Sequence, residues 1–267
     1  MSLQLIKSFY VLLFKSKLEY RFNFFMEIFI NLFTYVIDFA VIWVILEKFK
    51  TINGWSYYEV VFVYNMNLFS YGMACLFFYI PMRNLESMVK SGDFESLLIR
   101  PISPFTHLLL KQNYLGFLSH IILSIFMFGV CFKNLNMLWN GKNIFFFVVT
   151  LIGAVLIQAS VLIFIGSLSM KYIAANSLMN VLIYDIRSFI QYPIHIYPIV
   201  IQAILTFVVP YAFVNFYPSQ YLFNIQSGYW SIGYEVCIGA SIVGVVLFVG
   251  AIRFFYRMVN SYQGVGH

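Results

Sequence analysis

The chain has 267 residues, 62% of them hydrophobic and 10% charged, with a mean hydropathy of +0.85. An ordinary soluble domain carries roughly 25% charged residues, so a water-soluble fold of this length is excluded and lipid is left to cover most of the surface. The net charge of +6 does not point to nucleic acid, because the basic residues are scattered rather than packed into a stripe.

Residues 2–21 read as an amphipathic helix lying in the membrane interface. Gln4, Lys7, Ser8 and Lys15 share one face, and Ile6, Phe9, Tyr10 and Leu13 the other. These first residues carry Lys7, Lys15, Lys17 and Glu19 and show no clean apolar region with a cleavage site, so no signal peptide is expected. A spanning helix needs about 20 apolar residues. Six stretches qualify, at about 24–46, 58–80, 114–132, 144–170, 197–216 and 234–255. The expected fold is therefore an all-α integral membrane protein, a single domain over 1–267, with six transmembrane helices after the interfacial helix. No soluble linker, low-complexity segment or internal repeat is evident.

Lys and Arg in the loops set the orientation. With the N-terminus inside, twelve basic residues fall inside, among them Arg83, Lys90, Arg100, Lys111, Lys171 and Arg187. Four fall outside: Lys48, Lys50, Lys133 and Lys142. Both termini are then cytoplasmic and the protein is a multi-pass protein of the cell membrane.

The polar residues inside the spans come next. Glu27, Asn31 and Asp38 sit at i, i+4 and i+11, which places them on one helical face within about 20°. A polar face toward lipid is costly. Asn31 and Asp38 are the candidates to line a translocation path or a subunit interface; Glu27, nearer the membrane surface, is expected to stay solvated. Asp185 and Arg187 are expected either to pair or to face the cytosol. Pro193, Pro198 and Pro210 should break the chain around the fifth stretch. Ala240 and Gly244 form a small-xxx-small pair in the sixth. His107, His120, His195 and His267 have no metal-ligand spacing. Cys75, Cys131 and Cys237 read as buried thiols. No catalytic or metal site is expected.

The longest connection, 82–112, has its own pattern. Leu85, Met88 and Val89 recur at helical spacing, Gly92 can end that helix in the left-handed conformation, and Asp93 can cap a short turn over Phe94–Ile99. Pro101 forbids continuation. The product is a helix–break–helix elbow along the membrane surface. It is expected to expose Arg83, Glu86, Asp93, Glu95, Arg100 and Pro101 beside apolar Phe94 and Leu97. Residues alone leave a docking surface and a plain connector open.

The run Gly92-Asp93-Phe94-Glu95-Ser96-Leu97-Leu98-Ile99-Arg100-Pro101 resembles the stretch after the second span of type-2 ABC exporter permeases, in the branch that pairs two different permease chains with an ATPase. Tyr192-Pro193 and Pro210-Tyr211-Ala212-Phe213-Val214-Asn215-Phe216-Tyr217-Pro218 are similar to a second segment of that family, which holds a re-entrant helical pair on the outer side. The resemblance implies that the elbow carries a coupling helix docking into an ATPase. It also implies a second permease, identical or related, and export driven by ATP and Mg bound at the partner. The chain has no Gly-x-x-x-x-Gly-Lys-[Ser/Thr] run of its own; Gly141-Lys142 is followed by Asn143. An ion-gradient transporter and a membrane-embedded lipid-modifying enzyme are the alternatives. The first would show broken helices in matching halves, and the second a cluster of His, Asp, Glu or Cys at one depth.

Overall fold

The computed structural model describes residues 21–111, 114–135, 140–172, 175–225 and 234–263. The expected interfacial helix at 2–21 lies outside the described residues, apart from its last position. Among those residues the protein is all helix, with a lone β-bridge between Ile52 and Trp55.

α1 is Arg21–Phe49 and α2 is Tyr57–Ser91. At 1.5 Å per residue, α2 is about 52 Å long, well beyond the ~30 Å hydrocarbon core, so it runs on past the expected end at 80. Ser56 and Glu59 start it with a capping box: the Ser56 amide and hydroxyl donate to Glu59 Oε2 at 2.7 and 2.8 Å. Gly92, at φ 77°, ends it in the left-handed conformation. Next come α3 (Glu95–Leu98), α4 (Pro104–Lys111), α5 (Leu118–Asn134) and α6 (Gly141–Leu168). Asn140 Oδ1 caps α6 by accepting from the Asn143 amide.

α7, Ala175–Asn180, continues through i→i+5 turns over Val181–Ile186 and ends in a 3₁₀ turn at Phe189–Gln191. α8, Ile199–Ala203, loosens likewise over Ile204–Val208. A 3₁₀ turn at Tyr211–Phe213 and α9, Phe216–Phe223, follow, and α10 is Tyr234–Asn260. Among the described residues five helices are long and apolar enough to cross a membrane, or six if the bent pair from Ile199 to Phe223 counts as one.

Contacts fix the directions. α5 runs antiparallel to α2, because Asn65 bonds the Ser124 carbonyl while Cys131 Sγ lies at the Tyr58 carbonyl. α6 runs parallel to α2: Phe147 meets Phe62, Gln158 bonds Asn67, and Gly166 lies against Met82. α10 is parallel to α6. Ser241 Oγ donates to the Val149 carbonyl, Phe254 meets Phe164, and a Cβ on Gly244 would come within 2.5 Å of the Gly153 carbonyl oxygen. Small residues at 153, 240 and 244 thus let these two backbones touch.

The parallel pair α6 and α10 forces the chain to return between them. The return is α7 and its continuation, residues 175–191. The Asn176 amide bonds Glu86 at the elbow end of α2, Tyr184 bonds Tyr79, Arg187 reaches Asn67, and His195 stacks beside Trp55 at the far end.

The segment after it never crosses back. Its two limbs, Ile199–Val208 and Tyr211–Phe223, meet at 82°, and Phe216, Tyr221 and Phe223 pack on Trp55, Phe146 and Phe62 at the far end. The stretch 197–216, expected as a proline-broken span, is therefore part of a re-entrant pair. Pro198 and Pro210, which cannot donate backbone hydrogen bonds, sit just before the two limbs. Asn215 staples the pair inward, its Nδ2 donating to the carbonyls of Ile190 (2.6 Å) and Val63 (3.0 Å).

Candidate functional site

The elbow is held from beneath. The Gly92 amide closes on the Val89 carbonyl and the Phe94 amide on that of Met88. This turns Phe94 under the bend, fully buried and edge-on to Tyr262 at 5.2 Å. Leu97 is buried beside it, in a cluster with Leu85, Met88, Phe105 and Phe255. Glu86 is 8% exposed. Its carboxylate pairs with Lys90 at 2.5 Å and accepts the Asn176 amide at 2.7 Å, tying α2 to the start of α7. Arg83 donates to Tyr79, whose hydroxyl also bonds that of Tyr184 at 2.5 Å. The expectation that Glu86, Phe94 and Leu97 face outward is thus corrected: they fix the elbow in place. Asp93 does not cap α3 through its side chain; its carboxylate accepts from Ser91 Oγ at 2.6 Å.

The outer face of the elbow is made by Asp93, Glu95, Arg100 and Pro101, all exposed, with two apolar side chains that sequence reading did not single out. Leu98 is 39% and Ile99 86% exposed. Ile99 faces outward because α3 is a single turn: its inner positions are spent on Phe94 and Leu97, and Pro101 prevents the turn from winding further.

A second constellation lies inside the bundle. Along one face of α2, Tyr64, Asn67 and Tyr71 follow at helical spacing. Tyr64 donates to Asp38 Oδ2 at 2.7 Å. Asn67 Oδ1 accepts from Gln158 Nε2 and from Arg187 Nη1, each at 3.2 Å. The Arg187 guanidinium lies over the Tyr71 ring, 3.7 Å from its centroid. Tyr35 of α1 bonds His120 Nε2 at 2.6 Å. Asp38 is therefore engaged with protein, whereas Asn31 is half-buried and its side chain bonds no described residue.

Arg187 is not in a loop, as its place in the charge count assumed. It is 8% exposed, deep between α2 and the return segment. No carboxylate of the described residues lies within ion-pair distance of it. A desolvated cation is costly to bury; the Tyr71 face offsets this by about 2 kcal/mol, and Asn67 and the Ile183 carbonyl take two of its donors. Nor does it pair with Asp185. Residues two apart on such a helix point to roughly opposite sides, and Asp185 is exposed where Arg187 is buried. Among the described residues no three His, Cys, Asp or Glu side chains gather as a metal site, and Cys75 and Cys131 are buried free thiols. The Cys237 side chain lies outside the described set.

A bundle of apolar helices with a re-entrant pair at one end and an anchored elbow at the other defines a multi-pass membrane protein. The model of a family described as ABC-2 family transporter protein matches residues 29–266. The chain belongs to that family and is the permease, the membrane-spanning subunit, of an ABC transporter. No curated protein and no solved structure matches it.

Proposed function

We propose that the chain is one of two paired permeases of an exporter in the cell membrane, and that a separate ATPase subunit docks on the outer face of the elbow. The observation that carries this reading is Ile99. A large aliphatic side chain, 86% exposed on a turn whose underside is fully packed, is an anchor without a pocket. Asp93, Glu95 and Arg100 around it supply a charged rim. In this reading ATP and Mg are held by the ATPase. Closure of two motor subunits pushes on the elbow, and Phe94, Leu97 and the Glu86–Asn176 bond pass the motion to α2 and to the return segment. The charge distribution supports a cytoplasmic elbow. With Arg187 removed from the count, eight basic residues among the described ones fall in segments on the elbow side and four on the far side.

The test is to purify the tagged chain from its native membrane and identify what accompanies it. A nucleotide-binding subunit in stoichiometric amount is expected, with ATP turnover lost on Ile99→Asp. Transport that survives ATP depletion and collapses with a proton or sodium gradient would sink the reading.

A further inference from the structure

Among the described residues α10 packs on one side only. It meets α6 through Ser241, Gly244 and Phe254, α2 through Phe248 and α4 through Phe255. At 100° per residue, Arg253 stands about 180° from Gly244 and so faces away from α6. Ile242, Val246, Val249, Arg257 and Asn260 lie within about 40° of Arg253 on the same ridge, and all six are exposed. The outward ridge is therefore an aliphatic strip that ends in two guanidinium groups and an amide.

The two arginines stand at the level of the elbow. Phe255, between them in sequence, meets Phe105 of α4 at 5.1 Å, and Tyr262 lies under Phe94. They are one turn apart, where like charges on a helix repel. No carboxylate of the described residues pairs with either. The helix dipole accounts for Arg257, in the last turn. Its pull is spent within that turn, and Arg253 lies about two turns from the end. A lone arginine at this depth bends along the helix toward water, but for Arg253 that path is taken by Arg257. An anion between them at head-group level satisfies both. The planar guanidinium fork suits phosphate, which accepts bidentate pairs of hydrogen bonds. The aliphatic strip beneath suits a hydrocarbon chain.

We propose that Arg253 and Arg257 seat the phosphate of one anionic phospholipid of the elbow-side leaflet, with an acyl chain along Ile242, Val246 and Val249. Basic sites on membrane helices near this surface recognise lipid head groups by the same chemistry. A zwitterionic lipid carries its own ammonium beside the phosphate, which the two arginines repel. The same helix end holds Tyr262 beneath Phe94, so an occupied seat braces the underside of the elbow. The inference rests on the chain crossing a membrane and not on the docking of an ATPase.

The experiment uses the full chain, purified in detergent and stripped of lipid. It is titrated with phosphatidylglycerol or with phosphatidylcholine of the same acyl chains, and bound lipid is counted by native mass spectrometry. The parent should prefer phosphatidylglycerol. Arg253→Gln with Arg257→Gln should weaken that binding roughly 30-fold and leave phosphatidylcholine binding unchanged. Lys48→Gln with Lys133→Gln removes the same charge from the far side and should change neither affinity. Arg253→Lys with Arg257→Lys keeps the charge without the fork and should fall between. In the parent, phosphatidylglycerol should raise the thermal midpoint and slow amide exchange over α3; inorganic phosphate, which has no chain for the strip, should do neither. Equal affinity for the two lipids overturns the seat, as does phosphatidylglycerol binding that the glutamine pair keeps or that the far-side pair also loses. A second permease that is lost from the glutamine pair while lipid binding persists makes the ridge a protein contact and overturns it too. Protection by inorganic phosphate alone overturns the role of the strip. Lysines that bind like the arginines overturn the bidentate geometry, and exchange over α3 indifferent to phosphatidylglycerol overturns the bracing. Failure of an ATPase to co-purify leaves these readouts intact, so this inference and the exporter reading fail separately.

Discussion

Phe94 and Ile99 lie five residues apart on the same elbow and are predicted to fail in opposite ways. Phe94 is fully buried and edge-on to Tyr262. Phe→Ala in a packed core costs about 3–5 kcal/mol, so Phe94→Ala should lower the thermal midpoint of the purified chain and unfasten α3 from α10. Ile99 is 86% exposed, so Ile99→Ala should leave that midpoint unchanged. If Ile99 is buried on docking, the substitution removes three carbons, each worth about 0.8 kcal/mol. That is about 2.4 kcal/mol, or a roughly 50-fold weaker complex. The assay pairs a thermal melt in detergent with a titration of the ATPase subunit onto the reconstituted chain. A normal melt with 50-fold weaker binding for Ile99→Ala, against a lowered melt for Phe94→Ala, is the expected pattern. An Ile99→Ala chain that binds and couples like the parent refutes the assignment of the outer face. A Phe94→Ala chain as stable as the parent refutes the anchoring argument.

Gly244→Val should destabilise the bundle by about 1–3 kcal/mol, because even a Cβ there meets the Gly153 backbone at 2.5 Å; a melt that does not shift would show that α6 and α10 slide apart freely. Asn215→Leu should release the re-entrant pair, since two buried carbonyls lose their donor at about 1–3 kcal/mol each, and amide exchange should rise over 199–223 before it rises in α2. His195 should make the far end acid-sensitive. Burial between Trp55 and Phe216 pushes its imidazole below the ordinary range, with the Asn53 backbone offsetting part of that. The unfolded chain then takes up a proton that the folded one resists. Stability is complete above the ordinary histidine value of about 6.5 and falls as the pH drops through it toward the depressed folded value. Melts of the parent and His195→Gln between pH 8 and pH 5 should diverge only below about 6.5.

The sequence announced the elbow, and the reason is local: Gly92 and Pro101 are backbone signals that no tertiary contact overrides. Its facing was hidden, because a one-turn helix has no period from which to tell inside from outside. Phe94 and Leu97 turned inward because Tyr262 and Phe255 come from far along the chain to meet them, with Phe105 of the neighbouring α4 beside them. The largest misreading has the opposite cause. Hydropathy finds helices that lipid surrounds, and the return segment is not one of them. Asn176, Asn180, Asp185 and Arg187 dilute its apolar content until it reads as a loop, while the more apolar re-entrant pair after it reads as the crossing. The same polarity that concealed the segment from a hydropathy window sets its position. Arg187 is satisfied by Tyr71 and Asn67 of α2, and those contacts hold the segment inside the bundle.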